Sequence, residues 1–269
     1  MILTGAFSII KSGHQKRHHF NLTMKKIYGN TKPPKGALIN WAHPLSRGLV
    51  GCWLMNEGMG DKIYDLSGNK NTGTLINMAH PSTTVSGWNP GKFGHTLNLD
   101  GGNDYVECPS PTVSLNITKN ITLTAWIKTT SSTDGLTVTG RGLTGTFDHT
   151  WQHYIGLGYN TFFYANLYAM AAADGIAGTV LINDGKWHHV VAQFNGTAIS
   201  VYTDGKYDNS KAKTTTPTSN NNLKVRIGNL PGYTDYFNGS IEDVCIYNRA
   251  LSAAEILQLY KEPFCIFNR

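Results

Sequence analysis

Apolar and polar positions alternate in short runs along this chain, most plainly between Asp184 and Lys206, DGKWHHVVAQFNGTAISVYTDGK. Two runs rich in β-branched and aromatic residues, Trp187 to Phe194 and Ala198 to Thr203, flank Asn195-Gly196-Thr197, which predicts a long β-hairpin. Successive side chains on a strand point to opposite faces. Trp187, His189, Val191 and Gln193 therefore face one way, and His188, Val190, Ala192 and Phe194 the other. Both faces carry apolar groups, which places the hairpin inside a sandwich and not at its edge. Trp187 is expected in the core, and the two histidines, pointing opposite ways, are expected to be structural. Asp204-Gly205 is another tight-turn dipeptide, so a third strand is expected after a polar loop over 206–222.

The same pattern predicts strands at Leu49 to Leu54, Gly73 to Ile76, Thr96 to Leu99, Asp104 to Glu107 and Asn120 to Lys128. Further strands are predicted at Tyr154 to Leu157, Thr161 to Leu167, Gly178 to Leu181, Leu223 to Gly228 and Gly239 to Tyr247. In NITLTAWIK, residues Ile121, Leu123, Ala125 and Ile127 form an aliphatic face opposite Thr122, Thr124 and Trp126. One short helix is predicted: Ser252 can cap it, Glu255 completes a capping box, and Ile256, Leu259 and Tyr260 share a face. The class read from this pattern is all-β, a sandwich with one short C-terminal helix.

Composition agrees with many short strands, since only 15% of the 269 residues are charged and 29 are glycine. The net charge of +6 is concentrated at the front, where Lys11, Lys16, Arg17, Lys25, Lys26, Lys32 and Lys35 precede Gly36 without an acid. The remainder is near neutral, so no nucleic-acid-binding domain is indicated. Residues 1–35 read as a basic arm that ends in the extended Lys32-Pro33-Pro34-Lys35, followed by a domain over 36–262 and a tail over 263–269. The arm is open to three readings: a solvated tail, a basic element that ties into neighbouring subunits of an assembly or offers a surface to anionic polymers, or, since MKKIYGN from Met24 resembles a natural start, a gene-boundary artefact over the residues before it. Cys52, Cys108, Cys245 and Cys265 form no CxxC pair; buried free thiols are the plain reading, and one disulfide stays open. No run reaches the roughly 18 apolar residues of a membrane helix. The apolar stretch at the front precedes the basic cluster, the reverse of a secretory signal, so classical export is not expected.

The succession GLVGCWLMNEG, YDLSGNKNTGTL, GKFGHTLNLDGGNDYVE, ITLTAWIK, DGKWHHVVAQFNGTAISVYTDGK and FNGSIEDVCIYNRALSAAEILQLY resembles a laminin-G-like, concanavalin A-like jelly-roll domain over about Trp41 to Tyr260. The resemblance implies two antiparallel sheets packed face to face, with the first and last strands near one another. Some members of that superfamily are glucanases with E-x-D-x-E or E-x-D-x-x-E strands, whose paired carboxylates cleave a glycosidic bond. Here the five glutamates, Glu57, Glu107, Glu242, Glu255 and Glu262, form no such motif. Glu242 and Asp243 are adjacent, but neighbours on a regular strand point to opposite faces and would not converge. With no G-x-S-x-G, P-loop or HExxH either, a non-catalytic member is expected.

Members of the superfamily often hold a structural calcium ion, which needs six to eight hard oxygen ligands. On the resemblance, Asp100 and Asp104 of LDGGNDYV and Asp243 of IEDVCIY are the metal candidates; the plain alternative for Asp65, Asp100 and Asp104 is an Asx turn. For ligand binding, sugars stack on aromatic rings and hydrogen-bond to amides and carboxylates. Trp151, Tyr233 and Tyr236 lie in polar, turn-like surroundings, FDHTWQ and LPGYTDYFNG, with Asp148, His149 and Asp235 beside them as polar candidates. Two functions follow. One is a binding or adhesion module for a glycan or other surface ligand, engaged through rim loops at an extracellular or virion surface. The other is a structural decoration or fibre component of a virus particle that docks through its basic arm.

Overall fold

The computed structural model describes residues 31–109, 113–133, 136–142, 153–157, 162–167, 175–213 and 223–268, with 153, 154, 166 and 167 described through their backbone only. In chain order the first eight strands are β1 (Leu49–Trp53), β2 (Lys62–Ile63), β3 (Gly73–Ile76), β4 (Gly87–Pro90), β5 (His95–Asp100), β6 (Tyr105–Cys108), β7 (Ile121–Lys128) and β8 (Thr137–Gly142). They are followed by β9 (His153–Leu157), β10 (Phe162–Leu167), β11 (Ile176–Leu181), β12 (Trp187–Phe194), β13 (Ala198–Thr203), β14 (Lys206–Ala212), β15 (Lys224–Ile227) and β16 (Asn238–Tyr247). The helix α1 (Ala253–Lys261) comes last. One sheet runs β14-β13-β12-β7-β16-β5-β4, with β1 also paired to β16; the other runs β11-β10-β9-β8-β15-β6-β3-β2. Both are antiparallel, and together they form a jelly-roll-like sandwich. The first and last strands are direct neighbours.

Alternation on the strands makes the core. Leu123, Ala125 and Ile127 of β7 and Val190, Ala192 and Phe194 of β12 meet Val106, Ile155, Phe163, Val225 and Ile227 of the other sheet. The central hairpin is where its pattern puts it, with β12 hydrogen-bonded to both β7 and β13. Trp187 differs from expectation. It begins β12 and is only partly buried, against the outward-facing cluster and not between the sheets. Trp126, on the same outward face of β7, is the fully packed indole, 3% exposed, with Phe93 edge-on and Tyr260 stacked upon it.

Four strands are additional to those read from the pattern: β2, β4, β8 and β14. The segment 206–212 is not a loop but an edge strand, joined to β13 by the Asp204-Gly205 turn, in which both residues have positive φ. Its side chains are mostly exposed, so it has backbone pairing without an apolar signature. In β8 the sequence TVTGRG has a single large apolar residue, Val138, yet the strand is buried along its whole length.

Both ends of the domain fold back over the outer face of the first sheet. Phe264, Ile266 and Phe267, from the expected tail, are buried with Ile256 and Leu259 of α1, Ile39, Leu45, Leu49 and Trp126. Asn40 donates its N–H to the Ile266 carbonyl at 2.7 Å, and Asn268 donates to that of Leu38 at 2.8 Å. The capping box of α1 is present: the Ser252 hydroxyl accepts from Glu255 N–H, and the Glu255 carboxylate accepts from Ser252 N–H. That face is covered by the chain's own ends, and the outward face of the second sheet lies on the opposite side of the sandwich.

Candidate functional site

In that second sheet β6 and β15 run antiparallel, with Glu107 directly opposite Arg226 and Val106 opposite Ile227. The period of two sends Val106, Cys108, Val225 and Ile227 into the core, and Tyr105, Glu107, Lys224 and Arg226 outward. Arg226 donates from Nε to Glu107 Oε2 at 2.9 Å, and Lys224 Nζ donates to Oε1 at 2.7 Å. A second arm of the guanidinium reaches Asn229 Oδ1 at 2.8 Å, while its carbon lies 4.1 Å from the centre of the Tyr105 ring. Burial pushes the Glu107 carboxyl upward, but the Lys224 and Arg226 hydrogen bonds outweigh it and hold the group below the usual range. The outcome is a rigid platform of one ring and a fixed set of charges.

The turn from Gly228 to Phe237 carries the predicted loop residues and brings one of them, Tyr236, to this platform. Gly228 and Gly232 have φ of +87° and +89°, where a Cβ would be strained, and let the chain reverse twice. Asn229 is fully buried and ties the turn down by donating from Nδ2 to the Tyr233 carbonyl at 3.0 Å. Thr137 N–H donates to the Asp235 carbonyl at 3.2 Å, and Phe237 N–H to the Gly228 carbonyl at 2.8 Å. The Tyr236 ring centre lies 6.3 Å from that of Tyr105. Tyr233, Asp235 and Tyr236 are half-buried, and burial raises the Asp235 carboxyl above its ordinary value. Of the sequence candidates, Tyr236 is thus brought to Tyr105, with Tyr233 and Asp235 on the same turn. Trp151, Asp148 and His149 lie outside the described residues.

Sequence reasoning missed Tyr105, Glu107, Arg226 and Asn229. The alternation in DYVEC and KVRI does place them on one face of their own strands. Which strand lies beside which is absent from that signal.

The calcium candidates are not gathered at one point. Asp104 Oδ2 accepts from Asp100 N–H at 3.2 Å, and Asp100 Oδ1 accepts from Gly102 N–H at 2.8 Å, an Asx turn. Asp100 pairs with Asn238 at the start of β16, whereas Asp243 lies beyond the midpoint of that strand. Among the described residues no group of three or more His, Cys, Asp or Glu is placed to hold a metal ion. As one set, these three residues do not fit a calcium ion.

Asp243 and its neighbour correct another expectation. The register of β16 shifts between Glu242 and Cys245, and Asp243 has φ of +55°. This bulge removes the strict alternation, so the adjacent carboxylates do converge. They meet on Lys32 Nζ, which is 3.1 Å from Glu242 Oε2 and 3.3 Å from Asp243 Oδ1, all three side chains almost wholly buried. Lys32 also donates to the carbonyls of His95 and Met55. Burial raises both acids, and the ammonium pulls them back. Lys32, counted above with a loose arm, is therefore an internal cation of the domain.

The fold is that of a two-sheet, concanavalin A-like sandwich. The chain belongs to the concanavalin A-like lectin/glucanases superfamily, whose laminin-G family model matches residues 100–257. It is similar to the zebrafish (Danio rerio) adhesion G-protein coupled receptor V1, 26% identical over an alignment of 161 positions that covers 55% of this chain and 2% of the receptor. Among solved structures, domain 4 of the extracellular GH43 arabinanase AbnA from Geobacillus stearothermophilus, in complex with arabinotriose, is 20% identical. It superposes with a TM-score of 0.59 over 79% of this chain and 98% of that one. The binding domain of paraclostridial mosquitocidal protein 1 is 18% identical, with a TM-score of 0.59 over 82% of this chain and 53% of that one. At these identities the solved structures speak to the fold.

Proposed function

We propose that this domain is a non-catalytic module that binds a glycan or another surface ligand on the platform of Tyr105, Glu107 and Arg226, at the rim formed by Tyr233, Asp235 and Tyr236. The observation that carries this reading is the Arg226 guanidinium held over the Tyr105 ring by Glu107 and Asn229, with Tyr236 alongside. Rings offer the apolar face of a sugar a stacking surface, and fixed donors and acceptors satisfy its hydroxyls without a further ordering cost. Glu107 is engaged by two cations, which makes it a poor partner in a two-carboxylate hydrolysis. Support comes also from the arabinanase domain, whose structure holds arabinotriose, and from the toxin's binding domain.

A glycan array read with the wild type and Tyr236→Ala tests this. Binding that falls at least tenfold in the variant at an unchanged melting temperature supports the platform. An array without a binder, or a variant that binds like the wild type, sinks it.

A structural role in an assembly such as a virus particle, docked through the basic arm, is the second reading. It is favoured by Lys32, which fastens the base of that arm into the domain, so a load on residues 1–30 would be carried into the sandwich. Assembly that survives deletion of residues 1–30 would remove it.

A further inference from the structure

Cys52 on β1 and Cys245 on β16 are directly opposed in the register of the first and last strands. Their sulfurs are 3.6 Å apart, and both are free thiols. The backbone of Cys52 is turned away from β16: its N–H donates to Asp65 Oδ1 at 3.0 Å, and its carbonyl accepts from Leu66 N–H at 2.8 Å. This makes the two cysteines a non-hydrogen-bonded pair, the kind in which antiparallel neighbours have the closer side chains, with Cα atoms about 4.5 Å apart. A disulfide accepts Cα separations of roughly 4.4–6.8 Å, so closure asks for side-chain rotation and little backbone movement. Cys52 is wholly buried, whereas Cys245 is partly exposed, the more accessible residue of the two.

From this geometry we infer that Cys52 and Cys245 are a modification site, a dithiol that disulfide exchange closes into a staple between the first and last strands. A small disulfide such as oxidised glutathione is the oxidant. The Cys245 thiolate attacks one glutathione sulfur and releases a glutathione thiolate. The Cys52 thiolate then attacks the Cys245 sulfur of the mixed disulfide and releases the second. The two protein sulfurs lose two electrons together, the glutathione disulfide gains them, and the two thiol protons end on the two glutathione molecules. The contact with Cys245 and burial both favour the protonated form of Cys52, so closure speeds up as the pH rises.

The staple would span 193 positions of sequence. A bridge closing so long a loop restricts the unfolded chain strongly, so the oxidised protein should melt at a higher temperature. The test uses the full folded chain, incubated with oxidised glutathione, then alkylated and peptide-mapped. The expected result is a loss of two of the four thiols, a mass lower by two hydrogens, and one cross-linked peptide pair containing Cys52 and Cys245, all reversed by dithiothreitol. Cys108→Ser, which leaves the pair intact, should give the same cross-link. Four thiols remaining, a stable glutathione adduct on Cys245, or a cross-link through Cys108 or Cys265 would overturn the inference.

Discussion

Lys32 and Glu242 are 210 positions apart in sequence, and Lys32 Nζ lies 3.1 Å from Glu242 Oε2 with both side chains out of contact with water. Asp243 shares the ammonium because the bulge in β16 turns it to the same side. Removing one partner of a buried ion pair leaves the other charged and unsolvated, a change that costs about 3–5 kcal/mol. Lys32→Met should therefore lower the melting temperature by roughly 10 °C or more. Both acids have raised pKa values, so they contribute least to stability at high pH and take up protons first when the lysine is gone. The deficit should be larger at pH 8 than at pH 5, and thermal melts at both values measure it.

His188 and His189 are adjacent and should make opposite contributions to pH dependence. His188 bridges Asp204 at 2.9 Å and Asp184 at 3.1 Å, and the Asp204 hydrogen bond above all raises its pKa against the opposing effect of burial. The stability it adds is complete below its unfolded pKa of about 6.5 and is lost as the pH rises through the folded value. His189 lies beside Trp126 and Tyr260, and burial lowers its pKa to about 4. Its neutral ring supports the fold above the unfolded pKa, and that support fades as the pH falls from about 6.5 to 4, on the order of 3 kcal/mol in all. His188→Gln should flatten the alkaline limb of a melting-temperature profile, and His189→Leu should shallow the acid limb.

The two neighbouring tryptophans of the outward face should differ in weight. Trp126 is enclosed by Phe93, Tyr260 and His189, with the Lys92 ammonium 4.7 Å from its ring, so Trp126→Ala should cost about 3–5 kcal/mol. Trp187 is only partly buried, and Trp187→Ala should cost less than half of that. Urea denaturation of the two variants with matched slopes decides the order; a costlier Trp187 would place it in the core after all.

Ser252→Ala removes the hydroxyl that accepts from Glu255 N–H, and a lost N-cap is worth about 1 kcal/mol. Because α1 covers part of the outer face of the first sheet, amides of 253–261 should exchange faster while those of β12 hold. Hydrogen exchange followed by mass spectrometry reads both.

The sequence showed most of the strands, the hairpin at Asp184 to Lys206 and the capped helix, because alternation and capping are local and survive without knowledge of the partner strand. It also brought out Tyr233, Asp235 and Tyr236, whose glycine-rich turn is written in consecutive residues. It could not show β8 or β14, whose place rests on backbone pairing and not on an apolar face. Which strands are neighbours depends on packing between distant segments, and with that packing come Glu107 against Arg226, Cys52 against Cys245, and Tyr105 beside Tyr236. The bulge at Asp243 makes the same point most sharply. Alternation holds for a regular strand, and one extra residue in β16 was enough to bring two adjacent carboxylates onto a lysine from the other end of the domain.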